Sequence, residues 1–203
     1  MRTNVFVGAA AVILSSVGAG AATYNDHGAY MAATVNNTVI NFDTDPAGNA
    51  ISSGTFLGSI YSSMGVEFAP GGFVASGVGP VSTPNIWIDD TNFPTPLFVA
   101  TITAPNITAV GVFNALFSGG DYERLTAFDA DNNELGFVDA DTDSGNKDFF
   151  GLTTNAPIAR IEIEFRNQNG WGLDDLHLGQ VPAPGLAGLA AIAGLVSAGR
   201  RRR

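Results

Sequence analysis

Carboxylates at alternate positions are the first chemistry this chain offers. In Asp139-Ala140-Asp141-Thr142-Asp143-Ser144-Gly145, the acids Asp139, Asp141 and Asp143 are spaced as in calcium loops, with Asp148 close behind. Calcium is a hard cation that takes carboxylate and carbonyl oxygens, so such a loop is a candidate Ca²⁺ site. It is not an EF-hand, because glycine comes one place late and position twelve is Phe150 where Glu is required. The alternative is a solvated turn in an acidic protein. Asp89 and Asp90 form a further pair, read as capping or solvating a loop. A second chemistry is sugar binding, in which a pyranose stacks its C–H face on an exposed ring while its hydroxyls find amides and carboxylates. Trp171 and Asn169, in the polar turn Asn167-Gln168-Asn169-Gly170-Trp171, are the first candidates. Trp87 beside Asp89 and Asp90 is the second, and Tyr122 the third. For each ring the alternative is core or rim packing.

Other chemistries are excluded by composition. The chain has no cysteine, which removes thiol catalysis, thiolate zinc sites and disulfides. Its two histidines, His27 and His177, are too few for a His-rich metal site. No Gly-x-Ser-x-Gly elbow presents a nucleophile. A glycoside hydrolase needs little more than two carboxylates, but none of the 19 acids stands in a recognisable catalytic setting, so the expectation is a non-enzyme.

The elements that must position these residues read as short strands divided by Gly, Pro and Asn. In Arg160-Ile161-Glu162-Ile163-Glu164-Phe165-Arg166 the apolar side chains alternate with charges, the pattern of a strand with one face in a core and one in water. Further strands are expected at 39–43, 65–68, 73–76, 85–88, 97–103, 108–117, 123–129, 134–139 and 172–178. No helical period is evident between Tyr24 and Gln180. Asp129-Ala130-Asp131-Asn132-Asn133-Glu134 lies between two apolar runs and reads as a hairpin turn. The expected class is all-β, an antiparallel β-sandwich of jelly-roll type.

Both ends read as signals. Arg2, the apolar residues 5–17 and the small residues Ala19-Gly20-Ala21-Ala22 form a secretory signal peptide over 1–22, cleaved after Ala21 or Ala22. The other end runs Val181-Pro182-Ala183-Pro184-Gly185, then an apolar stretch, then Arg200, Arg201, Arg202 and Arg203. As a helix, residues 186–199 would span about 20 Å, short of a hydrocarbon core near 30 Å, and the arginines would stay on the cytoplasmic side. This tail resembles the PEP-CTERM sorting tail of bacterial exported proteins, with Ala183 where that family usually carries Glu. The resemblance implies recognition of the Pro-x-Pro segment by an exosortase-type membrane protease, after transient residence in the inner membrane. It also implies a final place at the cell surface or outside the cell, in organisms that make extracellular polysaccharide and biofilm matrix.

The body, 23–180, keeps four basic residues against all 19 acidic ones, a balance that repels nucleic acid. Its segments Ile40-Asn41-Phe42-Asp43, Met64-Gly65-Val66-Glu67-Phe68, Ala109-Val110-Gly111-Val112, Leu125-Thr126-Ala127-Phe128-Asp129-Ala130 and Gly172-Leu173-Asp174-Asp175-Leu176 resemble the jelly-roll domains of PEP-CTERM proteins and galactose-binding-like modules. That resemblance implies neighbouring first and last strands with a structural calcium beside them, which would draw on Asp43, Asp45, Asp174 and Asp175. Asp174 and Asp175 point to opposite faces of a regular strand, so both could join only if a bulge intervened. The expected function is a non-catalytic, carbohydrate-binding-like sandwich associated with exopolysaccharide. A structural matrix protein without a glycan site is the alternative, and a carboxylate-dependent glycoside hydrolase the more distant one.

Overall fold

The computed structural model describes residues 20–76, 85–89, 97–114, 122–140, 148–166 and 172–182. The candidate residues Pro184, Gly185, Asp90, Asp141, Asp143, Asn169, Trp171 and Arg200 to Arg203, and the expected signal peptide before Gly20, lie outside them. The described chain is all-β, with two antiparallel sheets facing one another across a shared core.

The strands of the larger sheet are β1 (Ala22–Tyr24), β2 (Val35–Ile40), β4 (Gly72–Ser76), β5 (Asn85–Asp89), β7 (Ala109–Asn114), β10 (Phe149–Thr153) and β12 (Leu173–Gln180). The smaller sheet holds β3 (Val66–Phe68), β6 (Leu97–Ile102), β8 (Tyr122–Phe128), β9 (Glu134–Asp139) and β11 (Arg160–Arg166). The larger runs β1-β10-β7-β12-β5-β4, and the smaller β3-β6-β11-β8-β9. One edge of β12 is shared: β5 meets it at Leu173, opposite Trp87, and β2 pairs with it from Leu176 onward. The first long strand and the last are therefore neighbours, as the galactose-binding-like resemblance implied.

The alternation in β11 is realised. Ile161, Ile163 and Phe165 are buried, while Arg160, Glu162 and Glu164 stay half-exposed on the other face. Arg160 forms an ion pair with Glu162, and its guanidinium lies 4.0 Å over the Phe128 ring.

Four features differ from the sequence expectation. The short strand β1 was not expected, since three residues carry no period. The strand expected at 39–43 is β2, Val35–Ile40, because Phe42 turns into the left-handed region at φ 58° and ends it. Such a backbone costs a non-glycine residue on the order of 1–2 kcal/mol. The turn drives a fully buried ring against Tyr61, Phe68 and Trp87, which offsets that cost. Strand β10 was missed because Phe149, Phe150, Gly151 and Leu152 are buried on both faces and show no alternation. A helix was missed as well: α1 (His27–Ala33), seven residues long and capped by Asp26, whose carboxylate accepts the Ala29 N–H at 2.6 Å. Two turns are too short for a periodic signal.

Helix α1 covers the outer face of the larger sheet. There Tyr30, Phe113, Phe149 and Ala109 form a second buried cluster, with Tyr24 packed against it. The ring of Phe149 lies across β7 and β10, where Gly111 and Gly151 leave room for it. A Cβ on Gly151 would stand 3.0 Å from the Phe149 ring.

Candidate functional site

Two of the acids expected near calcium, Asp45 and Asp139, hold hydrogen-bond partners of their own. Asp45 closes its own turn: its carboxylate accepts the N–H groups of Ala47 at 2.9 Å and Asn49 at 2.8 Å, and the Asn49 amide at 2.9 Å. These bonds, led by the Asn49 side chain, hold its carboxyl below the usual range. Asp129 repeats the arrangement with Asp131 and Asn133, and its carboxyl is lowered in the same way. Both turns follow one pattern, Asp, three residues, then Asn, with a left-handed residue before the Asn: Gly48 at φ 83° and Asn132 at φ 67°. Asp139 is held by Arg124 in a two-pronged ion pair, 2.7 Å from Nε and 3.0 Å from Nη2, and the same guanidinium lies 3.9 Å over the Phe137 ring.

Pairing of β2 with β12 brings Asp43 toward the end of the strand that carries Asp174 and Asp175. The bulge that would let both of those acids depart from strict alternation is present: the register of β12 shifts between Asp174 and His177, and Asp175 sits at φ 44°. Both carboxylates are buried. Asp174 lies opposite Phe113 and so shares the outer face with it. Among the described residues, however, no three His, Asp or Glu side chains converge as a ligand group.

Beside the first of the two turns is a cleft of about 270 Å³ lined by Val39, Asn41, Thr44, Asp45, Tyr61 and Met64 among others. Tyr61 donates its hydroxyl to the Thr44 carbonyl at 3.0 Å. Burial, then the charges of Asp43 and Asp45, keep that phenol protonated well above its ordinary range.

The aromatic candidates exchange roles. Trp87 is fully buried, with its ring centre 4.7 Å from Phe68 and 4.8 Å from Phe98, so it has no open face for a sugar and serves the core. The reason is its place on β5, opposite Leu173 of the central strand β12. Among the described residues the most exposed ring is that of Phe56, which the sequence reading passed over. Phe56 is 71% exposed at the rim of an apolar groove of about 350 Å³, whose other walls include Phe68, Pro70, Gly71 and Gly72. Its backbone is fixed along β4: Val74 N–H donates to the Thr55 carbonyl at 2.9 Å and Leu57 N–H to the Gly72 carbonyl at 3.0 Å. A lone Phe amid Ser52-Ser53-Gly54-Thr55 was the available signal, since an aromatic in a polar turn has little core to join.

Of the sorting residues, Val181 and Pro182 are described. They leave the sheet exposed, immediately after β12, with the Val181 N–H donating to Thr108 Oγ1 at 2.8 Å. Among the described residues no helix is long and apolar enough to cross a membrane.

Beneath α1, residues far apart in the chain meet. His27 and His177 place their ring centres 4.8 Å apart, with Phe113 and Phe149 each 5.0 Å from His27. Tyr30 lies 5.0 Å from Phe149 and 6.2 Å from His177. Burial, and secondarily the neighbouring His27, lower the His177 imidazole to about 4, so it is neutral near pH 7.

No protein-family model matches the chain, and neither a curated protein nor a solved structure matches it.

Proposed function

We propose that this is an exported, exosortase-processed and non-catalytic protein of the cell surface or extracellular matrix, whose jelly-roll-type sandwich binds an uncharged glycan of the exopolysaccharide layer. The observation that carries the binding role is Phe56, whose flanking backbone is hydrogen-bonded to β4 while its ring is left 71% exposed over a groove. The ring borders an apolar groove, and a flat apolar face is what a sugar's C–H surface stacks upon. An uncharged glycan is favoured because an acidic polymer would be repelled by a body with four basic and 19 acidic residues. Export and sorting rest on the two terminal signals, with Val181 and Pro182 exposed where a protease could reach them. The calcium ligands available at Asp45 and Asp139 are already held by Asn49 and Arg124, and the proposal does not depend on that ion.

Co-sedimentation of the protein with the producing organism's own polysaccharide tests the reading. Saturable binding is expected, weakened about five- to tenfold by Phe56→Ala, the equivalent of roughly 1 kcal/mol for a lost stacking contact. Trp171→Ala, run alongside, shows whether the second tryptophan shares the task. Self-association without saturable binding would return the domain to a structural matrix role. Release of reducing sugar, abolished at a single carboxylate, would make it a hydrolase.

A further inference from the structure

The two histidines are 150 positions apart in sequence and adjacent in space. We propose that His27 and His177 form a site for one borderline divalent cation of the zinc or copper type, which clips helix α1 to strand β12.

Three observations converge on it. First, Nε2 of His27 and both ring nitrogens of His177 are buried without a hydrogen-bond partner, as is the Tyr30 hydroxyl. Buried polar atoms are nearly always paired, and several orphaned together at one spot call for a ligand that takes up their lone pairs. Second, His177 is 4% exposed and Tyr30 fully buried, so these groups are aimed into the fold. Third, two imidazoles bound to one tetrahedral ion through nitrogens at about 2.0 Å hold their ring centres about 5 Å apart, which the observed 4.8 Å matches. Imidazole nitrogen selects zinc, copper or nickel over calcium, which prefers oxygen.

Two direct ligands leave positions for water. The Tyr30 hydroxyl, kept protonated by burial, is placed to hydrogen-bond such a water. Asp174, opposite Phe113 on the same face, supplies nearby negative charge without completing a three-residue ligand group. The clip would join the helix that carries His27 to the central strand of the larger sheet, reinforcing the aromatic packing between them.

Zinc titration of the untagged full-length protein near pH 7.5, followed by proton NMR of the imidazole rings, is decisive because the chain has two histidines and no cysteine. The expected result is that both sets of ring resonances move together and saturate at one equivalent. The melting temperature should rise by about 5 to 10 °C when zinc is a hundredfold above its dissociation constant, and calcium should not substitute. His177→Phe, which keeps an aromatic ring in an aromatic nest, should abolish both effects. His27→Gln, at the half-buried start of the helix, should do the same if the first variant folds poorly. Ring resonances unmoved by millimolar zinc, movement of one histidine alone, or a zinc-dependent melt that survives His27→Gln would overturn the proposal.

Discussion

The molecule holds two aromatic clusters built from the same mixture of edge-to-face and tilted ring contacts, and they differ in what else they contain. Between the sheets, Trp87 meets Phe42, Phe68 and Phe98, with Phe98 packed in turn on Phe165, in a core drawn from both layers. On the outer face, Phe113, Phe149, Tyr24 and Tyr30 pack with His27 and His177 under a seven-residue helix. The first cluster is backed by strands on every side, and its strength is a matter of area and fit. The second is roofed by two helical turns and contains the buried imidazole of His177, so its strength depends on that ring's charge. Similar packing geometry therefore yields one region governed by volume and another governed by protons.

The largest break in that contrast should come from Trp87→Ala. Removing a fully buried indole at the meeting point of β5, β12 and the facing sheet is expected to cost about 4 kcal/mol, read as a shift in the midpoint of urea denaturation. A loss below about 1 kcal/mol would mean that Trp87 is not central to the core.

Next in size is the effect of acid. Burial, and secondarily His27, lower the His177 imidazole to about 4 in the folded protein, against 6.5 in the unfolded chain. Between those values the unfolded chain binds the extra proton, so the neutral imidazole's stabilisation is complete above about pH 6.5 and is lost as pH falls toward 4. The groups facing it are His27 and Tyr30 from α1, Phe113 and Phe149 from β7 and β10, and Asp174 on its own strand. The expected loss is about 3 kcal/mol over that window. His177→Phe should flatten the profile, and a wild-type profile already flat from pH 7 to 4.5 would contradict this account.

The smallest expected effect sharpens the contrast by being local. Asp26→Ala removes the cap on α1 at a cost of about 1 kcal/mol. Amide hydrogen exchange should quicken across residues 29–33 and at Tyr24, leaving the protected amides of β11 unchanged. Acceleration spread evenly over both sheets would show that the two clusters melt as one.

How much of this was legible depended on whether a signal was local. The alternation of Arg160 to Arg166 announced its strand and its buried face, since period two needs one core and one solvent side. The turn at Asp129 was legible for the same reason, its hydrogen bonds reaching no farther than Asn133. Phe149 to Thr153 was not, because a strand covered on both faces loses its alternation. Trp87 and Phe56 show the limit at the candidate site. Each sits in a short run with polar neighbours, and neither run says which ring the opposite sheet will cover.

What the residues determined by themselves is the all-β class, most of the strand positions, the acidic surface and the absence of thiol chemistry, because each follows from composition or from contacts within a few positions. Only the tertiary structure decided that Asp139 belongs to Arg124, that Trp87 is interior and Phe56 exposed, and that His27 meets His177. Those outcomes depend on which strands become neighbours, and strand pairing is settled by the burial of whole faces across long stretches of chain, a free energy that no short segment carries.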